Sequence, residues 1–256
     1  MLFDTHVHLN DESYLDVEKI IEEALNENVK KMVVIGYDLK SSKKAVELSQ
    51  KHPFIYAAIG IHPSESLLDY ESDLNELEKL VSEGVVAIGE IGLDYHYPDI
   101  NKDKQKDLFI KQLELAKKYD LPVIIHSRDA CNDTCCLLKQ YKDCYKKGIM
   151  HCYSYSTEIA NELKKLGFIF GIGGVLTYKN AKEIKEVVKS LELEDLVLET
   201  DAPYLSPTPY RGTQNEPKYI KYVAKEMAVL KEIEESKVEE ITYKTSCDFF
   251  GVNYEN

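Results

Sequence analysis

Short apolar runs recur along this chain and alternate with amphipathic ones. Met32-Val33-Val34-Ile35-Gly36, Val85-Val86-Ala87-Ile88-Gly89, Pro122-Val123-Ile124-Ile125-His126 and Leu196-Val197-Leu198-Glu199 are β-rich, and each precedes a helix-like stretch. Apolar strands alternating with helices describe parallel β/α units with both sheet faces covered. Helical spacing is carried by Val17, Ile20, Ile21, Ala24 and Leu25, and again by Ile220, Val223, Ala224 and Met227. These stripes are predicted to pack outside the sheet. The segment from Lys237 to Phe250 reads as a final helix.

Strand candidates fall at residues 2–7, 31–36, 54–60, 85–89, 122–126, 148–152, 168–172 and 195–200. Eight is the strand number of a barrel. A doubly wound open sheet also alternates, but it would place a Gly-x-Gly-x-x-Gly turn after its first strand, and none is present. The prediction is an α/β chain forming one TIM-type (β/α)8 barrel domain over residues 1–256, a usual length for that fold. The longest stretch without predicted structure, Ala202 to Glu216, holds Pro203, Pro207, Pro209 and Gly212. A loop that long in a compact domain is more often functional than idle.

In such a barrel, the C-terminal strand ends converge on one cavity. Asp4-Thr5-His6-Val7-His8 puts two histidines at i and i+2 near a strand end, on one face of the strand. Glu90, His126, His151 and Asp201 each terminate another predicted strand. Four imidazoles and two carboxylates suit borderline divalent ions better than an all-oxygen Mg²⁺ or Ca²⁺ site. Six ligands exceed what one catalytic ion with an open position takes. Two divalent ions (Zn²⁺, Mn²⁺, Mg²⁺ or similar), roughly 3.5–4 Å apart and bridged by Glu90, are therefore expected, and they would activate a water to attack phosphorus. Asp201 is expected to orient that water or take its proton, and Arg128 and Arg211 to hold non-bridging phosphate oxygens.

Composition adds limits. With 44% hydrophobic and 30% charged residues, the chain reads as an ordinary globular protein. No apolar run is long enough for a membrane span, and the first residues lack a signal peptide's pattern. A cytoplasmic protein with no membrane partner is expected. The six cysteines (Cys131, Cys135, Cys136, Cys144, Cys152 and Cys247) avoid the first half of the chain, which argues for reduced thiols. The net charge of −13 disfavours a phosphate substrate. Two divalent ions against Glu90 and Asp201 would leave about +2 in the cavity and reverse that disadvantage locally.

At these residues the sequence resembles the TatD family of metal-dependent deoxyribonucleases, within the amidohydrolase-like barrel superfamily. The resemblance runs the length of the chain through Phe3-Asp4-Thr5-His6-Val7-His8-Leu9, Ile59-Gly60-Ile61-His62-Pro63, Ile88-Gly89-Glu90-Ile91-Gly92-Leu93-Asp94-Tyr95, His126-Ser127-Arg128-Asp129-Ala130, His151-Cys152-Tyr153-Ser154, Glu199-Thr200-Asp201-Ala202-Pro203-Tyr204-Leu205 and Asn215-Glu216-Pro217. It implies a metal set of His6, His8, Glu90, His126, His151 and Asp201, with His62 near the substrate phosphate. It also implies DNA hydrolysis, including exonuclease action. Tyr153 and Tyr155 stand where the family reads His-Cys-Phe-Ser-Gly, and Gln214 replaces a common arginine.

Tyr153, Tyr155, Tyr204 and Tyr210 follow predicted strands, where rings would stack on unpaired bases or serve as wall packing. Single strands or ends of DNA are the expected partner. The alternative is an amidohydrolase-like hydrolase of a small amide, lactone or phosphoester, since fold and metal site do not fix the substrate. A metal-stabilised binding protein without activity is a third reading. His96 is left between substrate contact and surface exposure, and His52 reads as structural. The cysteine cluster at 131–136 lacks the second pair that a zinc site requires.

Overall fold

The computed structural model describes residues 1–67, 70–81 and 84–254. Its elements are β1 (Leu2–Val7), α1 (Val17–Asn26), β2 (Val29–Ile35), α2 (Leu39–Lys51), β3 (Ile55–Ile59), α3 (Tyr70–Glu78), β4 (Val85–Asp94), α4 (Lys102–Tyr119), β5 (Val123–Arg128) and α5 (Cys131–Gln140). They continue through β6 (Gly148–Met150), α6 (Thr157–Lys164), β7 (Phe168–Ile172), α7 (Lys182–Ser190), β8 (Leu196–Leu198), α8 (Ile220–Lys231) and α9 (Glu235–Phe250). All eight predicted strands are present. They lie in sequential order in one sheet, and each neighbouring pair is parallel.

The sheet nearly closes into the predicted barrel where β1 meets the chain leaving β8. His8 N donates to Ala202 O at 2.8 Å, and Asp201 N donates to His6 O at 2.9 Å. Val7 and Ala202 form a parallel bridge there. Helix starts are locally encoded. Asp16 caps α1 by accepting from Lys19 N, and Asp38 and Ser41 form a reciprocal capping box on α2, which satisfies amides left free at a helix start.

Two strands stop earlier than the sequence pattern suggests. β6 ends at Met150 and β8 at Leu198; just beyond them, Cys152 (φ 44°) and Asp201 (φ 55°) turn the backbone left-handed and interrupt the regular strand. β4 instead runs on to Asp94 after an irregularity between Ile88 and Ile91. Such an interruption re-aims the side chains that follow it.

The core has two parts. The larger lies between strands and helices and takes up the stripes of α1 and α8, including Ile21, Ala24, Val223 and Met227. The smaller lies inside the barrel: Phe3, Val33, Ile124, Ile149 and Val197 meet Tyr243, Cys247 and Phe250 of α9. The Phe3 ring stands 5.7 Å from that of Phe250 and 6.2 Å from that of Tyr243. Helix α9 therefore stops the N-terminal end of the lumen, and strand alternation hands the opposite end to other residues.

Candidate metal centre

Two positions beyond the inward Ile124, Ile149 and Val197 come His126, His151 and Glu199. Because side chains alternate along a strand, on β5, β6 and β8 the same parity that fills the lower lumen with apolar groups lines its C-terminal mouth with titratable ones. On β1 and β4, register irregularities between Asp4 and Val7 and between Ile88 and Ile91 bring residues of the other parity from Phe3 and Ala87 to the same mouth. β1 contributes His6 and, just past its end, His8; β4 contributes Glu90; the turn after β8 contributes Asp201. Residues spread from 6 to 201 thus share one site.

Glu90 is its hub. Oε2 lies 3.4 Å from His6 Nε2 and 3.9 Å from His8 Nε2. Oε1 lies 2.7 Å from His126 Nδ1, 3.8 Å from His151 Nε2 and 4.0 Å from His62 Nε2. Each carboxylate oxygen therefore serves a different group of imidazoles, the arrangement expected of a bridging ligand. Asp201 Oδ1 completes the set, 3.3 Å from His8 Nε2 and 3.7 Å from both His6 Nε2 and His151 Nε2. All six metal-ligand candidates from the sequence are thus brought together.

Ring orientation supports cation binding. His8 Nδ1 faces the Ile35 carbonyl at 3.2 Å. A carbonyl only accepts, so Nδ1 carries the proton and the Nε2 lone pair points into the site. That lone pair meets His6 Nε2 at 3.3 Å, and His6 Nδ1 is buried without a hydrogen-bond partner. Converging imidazole nitrogens and carboxylates with no lysine or arginine among them fit a divalent cation.

Electrostatics tells the same story from the side of the protons. Burial opposes charge on His126, yet Asp94 and Glu90 raise its pKa to about 9. Burial likewise opposes charge on His151, and Glu199, Glu90 and Asp201 together raise it to about 10. Burial would raise Glu90, but His151 and His6 hold it well below the usual carboxylate range. Asp201 is lowered by the same histidines against its own burial. The acids attract positive charge strongly enough to protonate buried imidazoles, which is what a cation would exploit.

His62 behaves differently. The Ser64 backbone amide donates to His62 Nδ1 at 3.2 Å, so Nδ1 is an acceptor and the proton sits on Nε2, which faces Glu90. Burial, then the neighbouring His126, lowers its pKa to about 4. His62 is therefore a neutral donor at the edge of the cluster. Its position suits contact with an anionic oxygen.

A cleft of about 630 Å³ opens beside the cluster, bordered by His126, His151 and Asp201 on one side and by Val175, Leu176 and Ile184 on the other. Arg128, exposed at the end of β5, lines it, with its guanidinium 5.9 Å from the Tyr97 ring centre. Arg211 is exposed in the long loop, 4.3 Å from the centre of the Tyr178 ring. Thirty of the 32 basic residues are lysine; the two arginines are these.

Of the four tyrosines, Tyr204 stands open at the mouth, 54% exposed and 6.1 Å edge-on from His8. Tyr153 is buried but lines the cleft: its ring packs 4.6 Å from Phe170 and its hydroxyl donates to the Ser156 carbonyl at 2.7 Å. Tyr155 donates to the Ser127 carbonyl, and Tyr210 stacks on Tyr219. His96 pairs with Asp129 on the surface. His52 caps the C-terminus of α2 and faces Glu18. Gln214 is exposed and donates to Ser13. All six cysteines are free.

Sequence reasoning missed three residues. Asp94 Oδ2 lies 3.2 Å from His126 Nε2, and Glu199 Oε1 lies 3.1 Å from His151 Nδ1. Both share strand parity with a named ligand, Glu90 or Asp201, and that spacing was the available signal. Asn215, fully buried, donates to the carbonyls of Thr200 and Tyr204 and so pins the long loop to the exit of β8.

Residues 3–251 match the family described as TatD related DNase. YabD of Bacillus subtilis, named an uncharacterized metal-dependent hydrolase, is 46% identical over 255 residues, covering 99% of this chain and 100% of its own. The crystal structure of YjjV, a TatD homologue from Escherichia coli, superposes with a TM-score of 0.94 at 30% identity, covering 98% of each chain. A TatD-family hydrolase from Entamoeba histolytica matches with a TM-score of 0.87 at 26% identity, covering 97% of each. A match along nearly the whole chain, in sequence and in fold, places this protein in the family of TatD-related DNases.

Proposed function

We propose that the protein is a divalent-metal-dependent phosphodiester hydrolase that acts on DNA, at single strands or ends, in the cytoplasm. The observation that carries this reading is Glu90, whose two oxygens face separate sets of histidines within 4.0 Å, beside a cleft of about 630 Å³. Two divalent ions would be held there by Glu90 together with His6, His8, His126, His151 and Asp201. Bound there, divalent ions supply Lewis acidity, polarising a phosphoryl oxygen and bringing the pKa of water from 15.7 toward about 7.

The chain's own groups do the rest. Asp201, held ionised, orients the attacking water and accepts its proton. His62 donates its Nε2–H to a non-bridging phosphate oxygen. Arg128 and Arg211 are forked donors placed at the cleft and on the long loop, and neither makes an ion pair among the described residues, which leaves their guanidinium edges available for phosphates. Tyr204 offers an exposed ring on which an unpaired base stacks, a contact worth about 1–3 kcal/mol.

The names of the relatives agree with a metal-dependent hydrolase, and the family's description agrees with a deoxyribonuclease. The test is product analysis with Mn²⁺- or Zn²⁺-loaded protein, on end-labelled single- and double-stranded oligonucleotides and on a panel of lactones and amides. Release of nucleotides from the oligomers supports the proposal. Turnover of a lactone or amide with intact oligomers contradicts it and favours the small-molecule alternative.

A further inference from the structure

Behind the ligand set lies a carboxylate that the hydrolytic scheme leaves unused. Glu199 follows β8 directly, is 0% exposed, and is accommodated by a glycine. A Cβ on Gly171 would stand 2.0 Å from Glu199 Oε2. The barrel wall is thus thinned to admit this side chain. A buried carboxylate is costly unless partners offset its desolvation.

Its partners are specific. Oε1 accepts from the Cys152 backbone amide at 2.7 Å and stands 3.1 Å from His151 Nδ1. A ring nitrogen of His6 lies within 4.8 Å of the same carboxylate and of His151. The His6 and His151 rings are stacked, with centroids 3.5 Å apart and planes 17° apart. Both Nε2 atoms face Asp201 Oδ1 at 3.7 Å. Their opposite edges retain unanswered polar atoms: His6 Nδ1 and His151 Nδ1 are both buried without a well-directed hydrogen bond, His151 Nδ1 despite its 3.1 Å approach to Glu199 Oε1, and Glu199 Oε2 is likewise unpaired.

An imidazole presents a lone pair to a cation when its other nitrogen carries a proton that something accepts. A carboxylate acceptor fixes the tautomer, orients the ring and raises its basicity. We propose that Glu199 is a positioning residue: one buried carboxylate takes the Nδ1–H of His151 and backs the stacked His6, so that both rings turn Nε2 toward the cation site. This inference rests on the metal-centre reading. Glu199 lies on the far edge of His151 from Glu90 and Asp201, which separates it from the ligands themselves.

The experiment is Zn²⁺ titration by calorimetry, with ion counting at saturation, on the wild type, Glu199→Gln and Glu199→Asp. Glu199→Gln keeps an acceptor for the Cys152 amide and removes the charge. It is expected to bind Zn²⁺ about 10- to 100-fold more weakly with an unchanged number of ions at saturation. Glu199→Asp keeps the charge but withdraws it by one methylene, and falls between the two. In ¹⁵N-resolved spectra of the Zn²⁺-loaded wild type, His151 carries its proton on Nδ1 with a strong downfield shift that is lost in Glu199→Gln. An affinity of Glu199→Gln within twofold of wild type overturns the proposal. So does the loss of one ion at saturation, which would make Glu199 a ligand. A wild type that binds no Zn²⁺ overturns the metal-centre reading instead.

Discussion

The two ends of the barrel lumen are built from the same strands and have opposite characters. At the N-terminal end, Phe3, Ile124, Ile149 and Val197 pack against α9. Two residues further along the strands, His126, His151 and Glu199 face the mouth. One step of strand parity separates groups that stabilise by burial from groups that are costly to bury. The first set needs no ligand to be satisfied. The second retains orphaned atoms, buried acids and imidazoles that gain proton affinity against their burial. The difference teaches where stability ends and function begins in this fold.

The sharpest way to test that division is to damage each end separately. Phe3→Ala removes a fully buried ring from the lower lumen, and denaturant unfolding should show a loss of about 3–5 kcal/mol. Zn²⁺ affinity in the folded fraction should stay unchanged; a parallel loss of metal binding would mean the two ends are not independent. Glu90→Gln attacks the other end. Hydrolysis of an oligonucleotide by the folded, metal-loaded protein should fall by at least about 100-fold, and full activity would remove Glu90 from the hub.

At the rim the effects shrink. Arg211→Ala should raise KM for an oligonucleotide about tenfold while leaving kcat and Zn²⁺ binding close to wild type, in keeping with a charge-assisted contact of about 1.5 kcal/mol. A fall in kcat at constant KM would place Arg211 nearer the reacting phosphate than proposed.

The mildest expected effect is on pH. In chelator-treated protein, His126 and His151 hold protons up to about 9 and about 10 despite burial, against an ordinary value of 6.5. Their stabilisation is fully present below pH 6.5 and is lost as pH rises through 9 to 10. The Tm of the chelated protein should therefore decline over that interval. Zn²⁺-loaded protein, whose imidazoles are occupied, should decline less. A Tm of the chelated protein that is flat or rises between pH 6.5 and 10 would contradict the assignment of charge at the mouth.

Much of the fold was legible because strand and helix periodicity are local properties. Eight apolar runs marked eight strands, and His6, His8, Glu90, His126, His151 and Asp201 were marked by standing at their ends. Glu199 and Asp94 were harder, since a carboxylate behind a ligand is defined by its distance to a ring on another strand and not by its own neighbours. Tyr153 shows the opposite limit. Its place after β6 puts it on the lining of the cleft, but its burial is set by Phe170 and the Ser156 carbonyl, residues of the next strand and of the following turn. The strand ends at 150 and 198 came earlier than patterning implied, because the left-handed turns at Cys152 and Asp201 fall on residues other than glycine, the clearest local signal for them.

Crystals grown with Mn²⁺ and measured for anomalous scattering would test whether a pair of divalent ions gathers around Glu90. The account requires two peaks per chain flanking the Glu90 carboxylate, one within ligand distance of His6 and His8 and the other of His126, with His151 and Asp201 completing the two coordination shells. A mouth without anomalous density at saturating Mn²⁺, or peaks confined to the protein surface, would contradict it.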